Sequence, residues 1–191
     1  MPEPDASVRP QTDRETWVRA ATQSLADSGV DGVKVETLAR QLGLTKGSFY
    51  WHFKDRRALL DAVLEHWHEG RIDDIRSRTQ SAPGEEIAQL MNVIDTYSLA
   101  RNRRGMQVEL AIRDWARHDG TARSVVDKVD AVRLESAAGL FRAAGRNVEE
   151  AMNRSLLLYA YVFGLGMMDI QRETPRPADS RSFIARLITG D

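Results

Sequence analysis

Between Thr45 and Lys54 the chain reads Thr-Lys-Gly-Ser-Phe-Tyr-Trp-His-Phe-Lys, crowding hydrogen-bonding and aromatic side chains into ten residues. The Lys46 ammonium can donate to guanine acceptors or to phosphate, the Ser48 hydroxyl can bond a base edge, and Tyr50, Trp51 and His52 each join apolar surface to a donor. Gly47 lets the backbone approach a bulky partner closely. Taken singly, Tyr50 or Trp51 is more often a packing residue than a contact. Their joint placement argues otherwise, because Phe49 and Phe53, four apart, join Leu44 on an inward face and leave Thr45, Lys46, Ser48, Tyr50, Trp51 and His52 outward. This is chemistry for recognising nucleic acid, not for breaking bonds.

The elements that must position these residues are helices. Apolar residues recur at three- and four-residue intervals from residue 12 onward, without sustained alternation, so the chain is expected to be all-α with about nine helices. The first begins at a Thr12/Glu15 capping box, buries Trp17, Val18, Ala21 and Leu25, and ends at Ser28-Gly29. A second, Val35 to Leu42, is followed by a Gly43 turn and a third helix capped by Thr45; two short helices about such a turn are the layout of a helix-turn-helix, here residues 34–53. Asp55 caps a fourth, which runs to about Thr79. Further helices are expected at 85–101, 106–117, 121–144, 147–171 and 179–189, broken at Arg103-Arg104-Gly105, Asp119-Gly120, Gly145 and Pro175-Arg176-Pro177, with Asn147 and Glu150 forming a second capping box. The division is an N-terminal DNA-binding domain at 1–57 and a larger C-terminal regulatory and dimerisation domain at 58–191.

Totals narrow the function. The 191 residues are 42% hydrophobic and 29% charged, the composition of a folded chain, and the absence of cysteine removes disulfides and thiolate chemistry and fits a reducing, cytoplasmic setting. The polar N-terminus lacks a secretory signal, and the longest apolar run, Leu156 to Met168, is too short for a bilayer, so no membrane partner is expected. A net charge of −1 gives no global sign of nucleic acid. Locally, residues 32–57 carry six cations (Lys34, Arg40, Lys46, Lys54, Arg56, Arg57) against Glu36 and Asp55, an excess of four positive charges in 26 residues. Lys54 is a candidate contact, though for Lys54, Arg57 and Arg40 alike a solvated-surface reading competes evenly. No catalytic motif of hydrolases, nucleotide-binding enzymes or zinc proteases is present, the four histidines form no ligand set, and Glu85-Glu86 and Glu149-Glu150 sit in first helical turns where the macrodipole accounts for them. Catalytic residues, metal and cofactor are all expected to be none.

The stretch VETLARQLGLTKGSFYWHFKDRRALLDAV resembles the tetracycline-repressor (TetR) family, densely over about 50 residues and beyond them only in length, helical pattern and the AIRDWARHD segment. The resemblance implies a nine-helix homodimer that binds a palindromic double-stranded operator and releases it when a small molecule enters the C-terminal domain. By position it makes Lys46, Gly47, Ser48, Tyr50, Trp51 and His52 recognition-helix contacts, and sets Arg56 where a phosphate-contacting lysine is usual; Thr37 is a further backbone candidate. Arg56 keeps that charge with a different donor geometry, and Val35-Glu36 replaces polar or basic contacts of some relatives, so base preference does not transfer.

Past residue 90 the aromatics and methionines are those of either a core or an adaptable apolar cavity. Met91, Tyr97, Met106, Trp115, Phe141, Tyr159 and Phe163 are the candidates for a largely apolar effector, with Glu109 and Arg113 as a polar wall; the plain alternative for that pair is an intrahelical ion pair on a wet face. Helix eight is apolar nearly all round, so a second copy is expected to cover it. Leu156, Phe163 and Gly166, with Phe183 and Leu187 of the ninth helix, are the candidate two-fold interface. The long fourth helix, shared by both domains, is the expected relay. The competing reading is a helical small-molecule-binding or assembly protein without DNA binding.

Overall fold

The computed structural model describes residues 13–98, 103–168 and 178–190. Among them lie nine helices and no strand: α1 (Arg14–Gly32), α2 (Val35–Gln41), α3 (Lys46–Tyr50), α4 (Arg56–Arg78), α5 (Glu86–Ser98), α6 (Arg103–Ala116), α7 (Gly120–Ala143), α8 (Val148–Met168) and α9 (Ala178–Thr189). Carboxylate and amide caps start several of them. Asp55 accepts from the Ala58 amide at 2.8 Å, Asp119 from Ala122 at 2.9 Å and Asn147 from Glu150 at 2.9 Å. The second half of the Asn147 capping box is not made, since the Glu150 carboxylate turns to Arg154 at 2.7 Å.

Three boundaries differ from the sequence expectation. Asp13 caps α1 through Thr16, the expected cap Thr12 lying outside the described residues, and α1 resumes for a short turn beyond a break at Gly29. Helix α6 begins at Arg103, so Arg103-Arg104-Gly105 is the first turn of a helix and not a break. The Arg104 guanidinium explains this: it reaches Asp27 at 2.6 Å and the Gln23 carbonyl at 3.0 Å on α1, which fixes the start of α6 by a tertiary contact. The Pro175-Arg176-Pro177 break and the expected ends of α5 and α8 lie outside the described residues.

Two apolar clusters form the core. One joins α1–α4 (Trp17, Leu25, Leu38, Phe49, Phe53, Leu59, Trp67, Ile75) to the C-terminal part of α6 (Ile112, Trp115, Ala116) and the N-terminal part of α7 (Ala122, Val126, Val129). The other joins α5, the rest of α7, α8 and α9 around Leu90, Ile94, Phe141, Leu158, Val162 and Ile188. Residues on either side of position 57, Phe53 and Leu59 among them, lie in the first cluster. No helix of the described residues is long and apolar enough to cross a membrane.

Candidate nucleic-acid interface and regulatory core

Helix α3 is five residues long, too short to hold itself together, and its geometry comes from both ends. Gly43, at φ 68°, provides the left-handed turn after α2, and the Leu44 amide bonds the Ala39 carbonyl at 2.8 Å. Thr45 then caps α3, its hydroxyl accepting from the Ser48 amide at 3.3 Å. Phe49 pins the helix from below: its ring meets Trp17 edge-on at 5.3 Å and stacks on Phe53 at 5.5 Å, all three being buried.

With Phe49 inward, the outer face carries Tyr50 at 61% exposure and Trp51 at 88%. An indole so fully in water has given up a burial worth about 2–3 kcal/mol, so its place is set by something other than stability of the lone protomer. Thr45, Lys46, Gly47 and Lys54 are exposed beside it, with Ser48, His52 and Thr37 partly so. The structure thus brings Thr37 and residues 45–54 of the predicted set to one surface.

Two cations of that set are engaged. Lys46 pairs with Glu36 of α2, which holds the Lys46 ammonium above its ordinary pKa, chiefly through their hydrogen bond, and Glu36 below its own. Arg56, itself exposed, bends over the end of α1: its Nε donates to the Val33 carbonyl at 2.6 Å and an Nη to the Val30 carbonyl. In the free protein Arg56 bonds two carbonyls at the end of α1, that of Val33 and that of Val30, which also accepts from the Val33 amide at 3.2 Å, a structural role that the phosphate-contact expectation did not include.

The C-terminal candidates divide. Met91, Tyr97, Met106, Phe141, Tyr159 and Phe163 belong to the second cluster, whereas Trp115 packs in the first and does not join them. Glu109 and Arg113 are not on a wet face. Glu109 is 3% exposed, and it accepts from Arg113 Nε at 3.0 Å and from both Nη atoms of Arg133 at 3.1 Å, Arg133 itself being 2% exposed. Asp130 completes the group, accepting from Arg113 Nη1 at 2.8 Å and Arg133 Nη1 at 2.9 Å. Burial opposes the Arg133 charge, but Glu109 outweighs it and holds the guanidinium above its ordinary pKa. Burial also raises the Tyr97 phenol to about 12, with Asp74, which accepts its hydrogen bond at 3.0 Å, adding to the effect.

This cluster sits at the waist of the molecule. On α7, Asp130 and Arg133 fall between Val129 of the first core and Ala137 of the second. Sequence reading missed both, although the i,i+3 pair Asp130/Arg133 could have been matched to the i,i+4 pair Glu109/Arg113 as facing ion pairs on consecutive helices. The same reading missed Arg57–Asp119 at 2.5 Å, which ties the start of α4 to the cap of α7.

Of the candidate interface residues, Leu156, Phe183 and Leu187 are exposed. Gly166 and Phe163 are not on that face. A Cβ built on Gly166 would lie 2.7 Å from Cγ and Sδ of Met106, so Gly166 admits α6 of its own protomer. Phe163 lies under the Arg113 guanidinium, 4.2 Å from ring centre to Cζ. Among the described residues no group of histidines and acids could hold a metal ion.

Residues 18–63 match the family described as bacterial regulatory proteins, tetR family. The chain is 31% identical over 153 residues to the class A tetracycline repressor of transposon 1721 from Escherichia coli, a match covering 78% of this chain and 63% of that protein. It is 42% identical over 67 residues to the class C tetracycline repressor from Escherichia coli, covering 32% and 31%. The chain thus spans less than two thirds of these curated relatives. In fold it is similar to a transcriptional regulator from Rhodococcus sp. Rha1 (TM-score 0.73, 20% identity, 94% of this chain and 95% of that one) and to one from Saccharomonospora viridis solved in complex with choline (TM-score 0.77, 15% identity, 93% and 95%). With a helix-turn-helix that matches at residues 18–63, repressor relatives and an all-helical fold shared along most of its length, the chain carries the N-terminal segment of the tetR family of bacterial regulatory proteins.

Proposed function

We propose that the chain is a homodimeric, sequence-specific DNA-binding repressor, released from a palindromic operator by a small molecule bound at the waist of the molecule, and that its role is binding without catalysis. The observation that carries this is the outer face of α3, where Tyr50 and Trp51 stand in water on a helix pinned from below by Phe49. Lys46, Ser48, Tyr50, Trp51 and His52 read the major groove, while Thr37, Thr45, Gly47 and Lys54 lie against the backbone. Operator binding sets its work in the cytoplasm.

The exposed apolar row of α8 and α9, Leu156, Leu157, Phe183 and Leu187, supports a two-fold interface between copies of this chain. Coupling runs through α6 more directly than through α4. One end of α6 is tied to α1 by Arg104–Asp27; its middle is tied to α7 by Glu109–Arg133, and Met106 packs on α8 at Gly166. A ligand that moves α6 at the waist therefore pulls on α1, and α1 holds Phe49 through Trp17. That a fold neighbour binds choline supports a small-molecule site in this architecture.

A mobility-shift titration against the DNA upstream of the chain's own gene, repeated across salt, tests the reading. Binding should weaken steeply as salt rises, and Lys46→Ala with Tyr50→Ala should abolish it while helix content is retained. Retained binding in that double variant would overturn the assignment of α3.

A further inference from the structure

The Arg133 guanidinium is bonded along one edge, and the Nε on its other edge has no acceptor among the described residues. Its end-on edge is filled, Nη1 and Nη2 donating to the two carboxylate oxygens of Glu109 at 3.1 Å each, with Nη1 also donating to Asp130 at 2.9 Å. The side edge is composed of Nε–H and the second Nη2 hydrogen, which run parallel in the guanidinium plane. Nε is buried and has no acceptor among the described residues. Arg113, by comparison, is filled on both edges, by Glu109 at Nε and by Asp130 at its Nη atoms. A buried cationic donor without an acceptor is costly, and native structures keep such a group where something else completes it.

Charge and shape narrow what completes it. Two guanidinium groups face two carboxylates, so the cluster is already balanced; a further anion or cation brought into this low-dielectric waist would leave an excess charge unpaired. The acceptor that fits is an uncharged oxygen. Two aromatic rings lie against the guanidinium: its Cζ is 5.6 Å from the centre of the Tyr159 ring and 5.2 Å from that of Phe163, and those rings stack at 6.3 Å and 30°. Phe163, Met91 and Met106 are only partly buried there, and methionine adapts its shape to what it meets.

We propose that the effector is a planar, uncharged, carbonyl-bearing molecule whose oxygen accepts from the free edge of Arg133 while its body lies along Tyr159 and Phe163. This rests on the reading of the chain as an effector-controlled regulator. Accepting that hydrogen bond draws Arg133 toward the ligand and slackens its grip on Glu109, which with the Asp130–Arg113 pair holds α6 to α7.

The test uses the full-length protein labelled at arginine Nε, titrated in matched pairs: 1-indanone against indane, coumarin against chroman, flavone against flavan, with benzoate as the anionic arm. The Arg133 Nε–H proton and nitrogen resonances, assigned with Arg133→Lys, should move with at least one carbonyl probe. The carbonyl-free partner should bind about tenfold more weakly or worse, as loss of a charged-donor hydrogen bond requires, and benzoate should bind more weakly than the neutral carbonyls. Phe163→Ala, which leaves every ion pair intact, should weaken the carbonyl probe by a similar factor. Three silent carbonyl probes, or equal binding within each pair, would overturn the proposal, and preference for benzoate would overturn its charge argument. An Nε–H signal that reports the same buried water with and without probe would overturn it as well. Operator binding measured alongside without probe keeps the parent reading separate: intact binding with silent probes removes the ligand class alone.

Discussion

The Glu109–Arg133 pair lends itself to a double-substitution cycle, because its two members are almost wholly removed from water and its surroundings can be counted. In Arg133→Met, Glu109 loses both 3.1 Å hydrogen bonds from Arg133 and keeps the Arg113 contact at 3.0 Å, so it is under-compensated without being abandoned. Asp130 keeps Arg113 and has water at hand, and contributes little to the loss. The expected cost is about 3 kcal/mol, the lower end of what breaking a buried pair brings. Glu109→Met leaves Arg133 with Asp130 alone and costs about the same. With both residues replaced by methionine no charge is stranded, the volume is roughly kept, and thioether sulfur can lie against Tyr159 and Phe163; the double variant should fall within about 1–2 kcal/mol of the wild type. The assay is urea unfolding followed by circular dichroism on all four proteins at one protomer concentration, so that the proposed dimer contributes equally to each result. Each single variant should melt about 6–12 °C below the wild type, and the double variant above both. A double variant that loses as much as the two singles together would refute the reasoning, for the two residues would then be acting independently.

Three further outcomes follow from named contacts. Arg56→Ala should cost about 1 kcal/mol in urea unfolding by taking the donor from the Val33 carbonyl, while Val30 keeps the Val33 amide; unchanged stability with a salt slope shallower by about one would instead make Arg56 a phosphate contact. Glu36→Gln releases Lys46 to the DNA, so fluorescence anisotropy should show tighter binding to any duplex and a smaller ratio of operator to random-sequence affinity. The Tyr97 phenol titrates at about 12 in the folded chain against about 10 when unfolded, so the unfolded state gives up its proton first and stability falls as pH rises from 10 to 12, by at most about 1.4 kcal/mol per unit from this group. Tyr97→Phe should flatten that decline in urea titrations over the same range.

What the sequence disclosed was what depends on near neighbours along the chain. The caps at Asp55 and Asn147 act over three residues, and the inward pair Phe49/Phe53 is set by helical spacing, so the helix-turn-helix and its outer face could be read directly. What depended on distant partners could not. The first turn of α6 reads as a break because glycine after two arginines is a poor helix start, yet Arg104 is held by Asp27, 77 residues away. Glu109/Arg113 reads as a wet ion pair because its third member, Arg133, lies 24 residues on and on another helix. Arg56 looks free for phosphate because the carbonyls it satisfies belong to a helix end 23 and 26 residues back. Gly166 shows the same limit: small residues on an apolar helix mark a close approach, but whether α6 or a second copy makes it is decided by the fold.

Hydroxyl-radical footprinting of the wild-type protein on its operator tests the central claim most directly, because it reports how many recognition helices touch the duplex and where. Two protected half-sites on one face of the DNA, their centres one helical turn or about 10 base pairs apart and both lost in the Lys46→Ala, Tyr50→Ala variant, are what a dimer presenting two copies of α3 must give. A single continuous protected stretch, or protection that survives the loss of Lys46 and Tyr50, would contradict it.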